Sequence, residues 1–67
     1  MRIWLKALRE RKNLSQNQLA IKTNIDVSSI SKYELGIRRP SPEKAKIIAD
    51  VLGFDWTMFY ADKNDTA

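Results

Sequence analysis

The side chains able to do chemistry in this 67-residue chain are hydrogen-bonding groups and cations rather than nucleophiles. There is no cysteine and no histidine. The usual nucleophile–base pairs and most transition-metal sites therefore cannot be assembled, which weighs against catalysis. No cofactor, metal or small-molecule ligand is expected. What remains is polar and cationic: serine, asparagine and glutamine side chains between Leu14 and Gly36, Lys22 and Lys32 among them, and Arg38 and Arg39 just after. The serine hydroxyls can donate or accept, and the arginine forks suit phosphate oxygens. Twelve Lys and Arg against eight Asp and Glu give a net charge of +4, unevenly placed. Arg2, Lys6, Arg9, Arg11 and Lys12 face only Glu10 at the start, whereas Asp55, Asp62 and Asp65 outnumber Lys63 at the end. A basic beginning suggests a face turned toward a polyanion, although charge alone fits a solvated helix face equally well.

These residues need elements to position them, and helix-stop signals recur at short intervals. Ile3, Leu5 and Leu8, with Trp4 beside them, make an apolar stripe at helical spacing, predicting a first helix to about Lys12. Asn13 ends it, and Ser15 with Gln18 three residues on forms a capping box for a second helix that buries Leu19 and Ala20 and ends near Thr23. Asn24 supplies the left-handed backbone of a tight turn. Asp26 caps a third helix that buries Ile30 and Tyr33 and stops at Gly36. Ser41-Pro42-Glu43 opens a fourth, with Ala45, Ile48, Ala49 and Leu52 as its stripe and Gly53 as its end. Asp55 caps a short fifth helix bearing Trp56, Phe59 and Tyr60. The expected fold is all-α: five short helices, the second and third joined as a helix-turn-helix able to place one helix in a DNA major groove. One domain over 1–62 is expected, followed by a polar, frayed tail over 63–67.

Four segments read as a set: L-S-Q-x-x-L-A from Leu14, I-S-x-Y-E-x-G from Ile30, R-x-P-S from Arg38 and I-A-x-x-L-G from Ile48. Together they resemble the lambda-repressor-like helix-turn-helix family of phage Cro and repressor proteins and Xre-type bacterial regulators. The resemblance runs from about Leu5 to Phe59. The chain departs from the family at Asn24, where glycine is usual, and at Tyr33, where Trp or Leu is common.

The resemblance implies a sequence-specific double-stranded DNA-binding regulator. Val27, Ser28, Ser29 and Lys32 would face base edges: hydroxyls toward donors and acceptors, Val27 toward a thymine methyl, Lys32 toward guanine or a phosphate. Gln16, Asn17, Tyr33, Arg38 and Arg39 would touch the DNA backbone, Gln16 also bracing the third helix. Arg9 and Glu34 would form a structural ion pair joining the first helix to the end of the third. A palindromic operator would be read by a homodimer, formed in solution or only on DNA, with half-sites ~34 Å apart. Met58 and Tyr60 are the expected dimer surface. The alternative keeps the fold but makes it a protein-interaction module or antitoxin-like subunit, with Trp56–Tyr60 as the functional surface. No apolar run approaches membrane-spanning length, so a soluble, cytoplasmic chain is expected, at the nucleoid when DNA-bound.

Overall fold

Capping chemistry sets where each helix begins. In the computed structural model, which describes residues 1–61, helix α2 (Gln16–Thr23) opens with the full capping box: Ser15 Oγ accepts from Gln18 N at 3.0 Å and Gln18 Oε1 accepts from Ser15 N at 2.8 Å. Helix α3 (Val27–Leu35) opens on Asp26, and α4 (Pro42–Leu52) opens on Ser41 with proline in its first turn. Helices α1 (Ile3–Arg11) and α5 (Met58–Ala61) complete the five, and there is no strand among the described residues.

The ends follow one rule. Asn13 and Asn24 have φ of 59° and 57°, and Gly36 and Gly53 have φ of 79° and 77°. At Asn24 the next amide, Ile25 N, donates to Ala20 O at 3.1 Å, while Asn24 N donates to Ile21 O at 3.4 Å. This is the Schellman closure, which pairs carbonyls that a helix end otherwise leaves open. Gly36 closes α3 in the same way, with Ile37 N on Lys32 O at 3.1 Å. Space is tight at Gly36 as well, since a Cβ there would meet Met1 N at 3.3 Å. Asparagine serves in the α2–α3 turn because its short polar side chain tolerates the left-handed region better than other non-glycine residues.

The core is Leu5, Leu19, Ile25, Ile30, Tyr33, Ala45, Ile48, Leu52 and Phe59, with Trp4, Leu8, Leu14, Ala20, Val51, Phe54 and Trp56 packed around it. Helix α3 packs on α1 and α2, and α2 also packs on α4. Trp4, Phe54 and Phe59 form an aromatic trio with centroids 5.2 to 5.6 Å apart, which joins α1 to α5 and to the segment before it.

Four expectations are corrected. Ile3 is 69% exposed and not part of the α1 stripe. At ~100° per residue it sits about 200° from Leu5, so the inward face is instead Arg2, Leu5, Leu8 and Arg9. Arg2, counted with the surface cations, is buried, as is Arg9. Helix α5 begins at Met58, later than expected: Asp55 Oδ1 accepts from Thr57 N and Oγ1 at 3.0 and 2.8 Å, closing a turn that holds Trp56 before the helix. Ala20 is only half-buried, and Thr23 takes the inward position. The tail over 63–67, with Asp62, lies outside the described residues.

Candidate nucleic-acid interface

Helix α3 turns one face inward and presents the other. Ser29, Ile30, Tyr33 and Glu34 are buried. Ser28 and Lys32, one turn apart, fall on the opposite side, with Leu35 one turn further along it. Val27 and Ser31 flank that face. Val27, Ser28 and Leu35 are exposed, and Lys32 and Ser31 are half-buried.

The four residues expected at base edges therefore divide. Val27, Ser28 and Lys32 are brought together on accessible surface. Ser29 is not: it is buried, and its hydroxyl donates to Asp26 Oδ1 at 2.9 Å while its amide donates to Asp26 Oδ2 at 2.9 Å. Ser31 occupies the accessible flank that Ser29 does not. The signal was present in the sequence, since Ser31 is four residues after Val27 and Ser29 is one before the core residue Ile30.

Asp26 fixes where this face begins. The two bonds from Ser29, backbone first and hydroxyl second, hold its carboxyl below the ordinary value of 3.8. A carboxyl depressed by folding stabilises above its unfolded pKa, and that contribution is lost as pH falls through the folded value. Asp26→Ala should thus melt below the wild type at pH 7, with the gap closing once pH drops below the ordinary carboxylate range. Thermal melts followed by circular dichroism across pH 2–7 (roughly the carboxylate window) check this, and a gap that persists unchanged in acid would contradict it.

The far end of α3 is tied to the other helices at one carboxylate. Glu34 Oε2 accepts from Arg9 Nε at 2.6 Å, and Oε1 accepts from Arg9 Nη2 at 3.2 Å and from Gln16 Nε2 at 3.1 Å. Arg9 Nη1 continues to Leu14 O at 2.7 Å. Glu34 thereby joins α1, the start of α2 and the end of α3. Its hydrogen bond raises the Arg9 pKa against the opposing effect of burial. Gln16 is half-buried by this contact, whereas its neighbour Asn17 is exposed at the α2 N-terminus.

Tyr33 is 2% exposed, with its ring in the core, so it offers almost no surface to an external partner. Arg38 and Arg39 are exposed in the loop that follows Gly36. Asn17, Arg38 and Arg39 thus sit near the end of α3 that Glu34 anchors, with Ser28 toward its start. Met58 and Tyr60 are each 38% exposed. No group of acidic side chains able to hold a metal ion occurs among the described residues, and no helix there is long and apolar enough to cross a membrane.

The Helix-turn-helix family profile matches residues 5–59. The chain is 40% identical over 62 residues, 92% of its own length and 82% of the relative's, to the uncharacterized HTH-type transcriptional regulator YqaF of Bacillus subtilis (strain 168). No solved structure matches it.

Proposed function

We propose that this chain, which belongs to the lambda-repressor-like helix-turn-helix family of transcriptional regulators, reads double-stranded DNA in a sequence-specific way through α3. The observation that carries the proposal is the exposed face of that helix. It presents Ser28 and Lys32 one turn apart, flanked by Val27 and Ser31, on a helix whose other face is locked to α1 and α2. A fixed helix with short polar residues near its start is what major-groove readout requires. Ser28 and Ser31 meet base-edge donors and acceptors, Val27 meets a thymine methyl, and Lys32 reaches guanine O6 and N7 or a phosphate. Ser29, held by Asp26, acts on DNA only by shaping the helix start, and Tyr33 acts from the core.

Asn17, Gln16 and the Arg38–Arg39 loop take the phosphates, which fix register without reading sequence. The protein acts as a Cro-like or immunity-repressor-like regulator of a phage or mobile element, binding a palindromic operator as a homodimer. Met58 and Tyr60 form the two-fold contact, with dimerisation completed in solution or on the DNA. A cytoplasmic, nucleoid-associated location follows from the same role.

Amide chemical-shift mapping with duplex DNA tests the reading. Shifts should concentrate at Val27, Ser28, Lys32, Arg38 and Arg39. Shifts confined to Met58 and Tyr60, or none at moderate salt, would favour instead a protein-interaction module built on the same fold.

A further inference from the structure

The loop carrying Arg38 and Arg39 is held at two backbone carbonyls by side chains from outside it. On one side lies Arg2, which is 1% exposed. Its Nη1 donates to Tyr33 O at 2.6 Å and to Arg38 O at 2.9 Å, so a single guanidinium bridges the last turn of α3 and the middle of the loop. The Arg2 amide also donates to Glu34 O at 2.7 Å, and its guanidinium carbon lies 5.5 Å from the Phe59 ring centroid.

On the other side lies Tyr60, whose hydroxyl donates to Pro40 O at 2.8 Å. Its ring lies under Arg39, with the guanidinium carbon 5.3 Å from the centroid. Trp56 packs edge-on against Tyr60 at 5.7 Å, and Lys46 Nζ covers the Trp56 ring at 5.0 Å. The ring that steers Arg39 is itself steered.

We infer that Arg2 and Tyr60 are positioning residues for phosphate recognition, holding the Arg38–Arg39 loop in its DNA-gripping shape before DNA arrives. Neither needs to touch DNA. Arg2 is enclosed, so its charge is not part of the cationic surface, and Tyr60 acts through Pro40 and Arg39. A loop ordered in advance binds more tightly than one that must be ordered on contact, because the entropy of ordering is already met in folding. The inference rests on the DNA-binding reading for its consequence, but not for the loop order itself.

Tyr60→Phe separates the two, since it removes the hydroxyl and keeps the ring under Arg39 and beside Trp56. In the free variant, backbone order parameters of Ile37, Arg38 and Arg39 should fall from the rigid range of about 0.85 toward about 0.6. Affinity for duplex DNA should fall about three- to tenfold, the ordinary worth of one hydrogen bond. In an Arg38→Ala/Arg39→Ala background the same substitution should change affinity by less than about twofold, because nothing remains for it to position. Arg2→Lys, which keeps a cation but loses the two-carbonyl reach, should loosen the same amides.

Unchanged order parameters in Tyr60→Phe would overturn the inference. So would an equal affinity loss in both backgrounds, the mark of a general structural effect. A wild-type protein that binds no duplex DNA, with amides that still loosen in Tyr60→Phe, would overturn the DNA reading and leave the loop positioning standing.

Discussion

Glu34→Ala should leave the chain largely unfolded at 37 °C. The carboxylate is 2% exposed and accepts from Arg9 twice and from Gln16 once. Its removal strands the charge of Arg9, a residue 7% exposed, and breaking one side of a buried pair costs about 3–5 kcal/mol. A core of this size, in a chain without disulfides, supplies only about 3–5 kcal/mol in total. The loss therefore matches the whole stability rather than trimming it. Urea titration by circular dichroism should show no folded baseline for Glu34→Ala, and Glu34→Gln should sit between it and the wild type. Arg9→Met/Glu34→Leu should recover much of what either single change loses, since an apolar pair leaves no charge uncompensated. A Glu34→Gln variant as stable as the wild type would show that the carboxylate charge does not hold the helices together.

Arg38→Ala/Arg39→Ala should do the opposite: fold normally and bind DNA poorly. Both side chains are exposed, so folding loses little. Each phosphate contact contributes about 0.9 to the slope of log affinity against log salt, so the double variant should flatten that slope by about 1.8. At ~0.1 M salt the same relation makes each contact worth roughly tenfold, or ~100-fold for both. The loss should be uniform across DNA sequences. Ser28→Ala should behave differently, relaxing preference at one base pair by about 1–3 kcal/mol while leaving the salt slope unchanged. Fluorescence anisotropy titrations on two or more sequences at several salt concentrations distinguish these patterns. A double variant with the wild-type slope would place the loop away from the phosphates.

Helix boundaries were legible because caps are local. Ser15, Asp26, Ser41, Asn24 and Gly36 act within a few residues of themselves, and each does in the structure what its type implies. The Arg9–Glu34 pair was not visible in periodicity and came only through the family resemblance, because its two members lie 25 residues apart. Arg2 was missed for a related reason. Its partners are backbone carbonyls 31 and 36 residues away, which leave no trace in residue type, and charge counting places every arginine at the surface. Ser29 departs from the expected face because the helical period turns each successive residue by ~100°, which carries it to the side of Ile30. Phe54, packed against Trp4 and Phe59, follows the α4 stop and so belongs to no helical stripe.

The sharpest test of the whole account is selection of binding sites from a pool of random duplex DNA. A face of Val27, Ser28, Ser31 and Lys32 on a fixed helix, presented by the proposed two-fold dimer, predicts one enriched motif. That motif should be palindromic, with half-sites about one helical turn, ~34 Å, apart, and Ser28→Ala or Lys32→Ala should change its composition. A pool that stays random, with binding indifferent to both substitutions, would contradict the claim that this helix reads DNA.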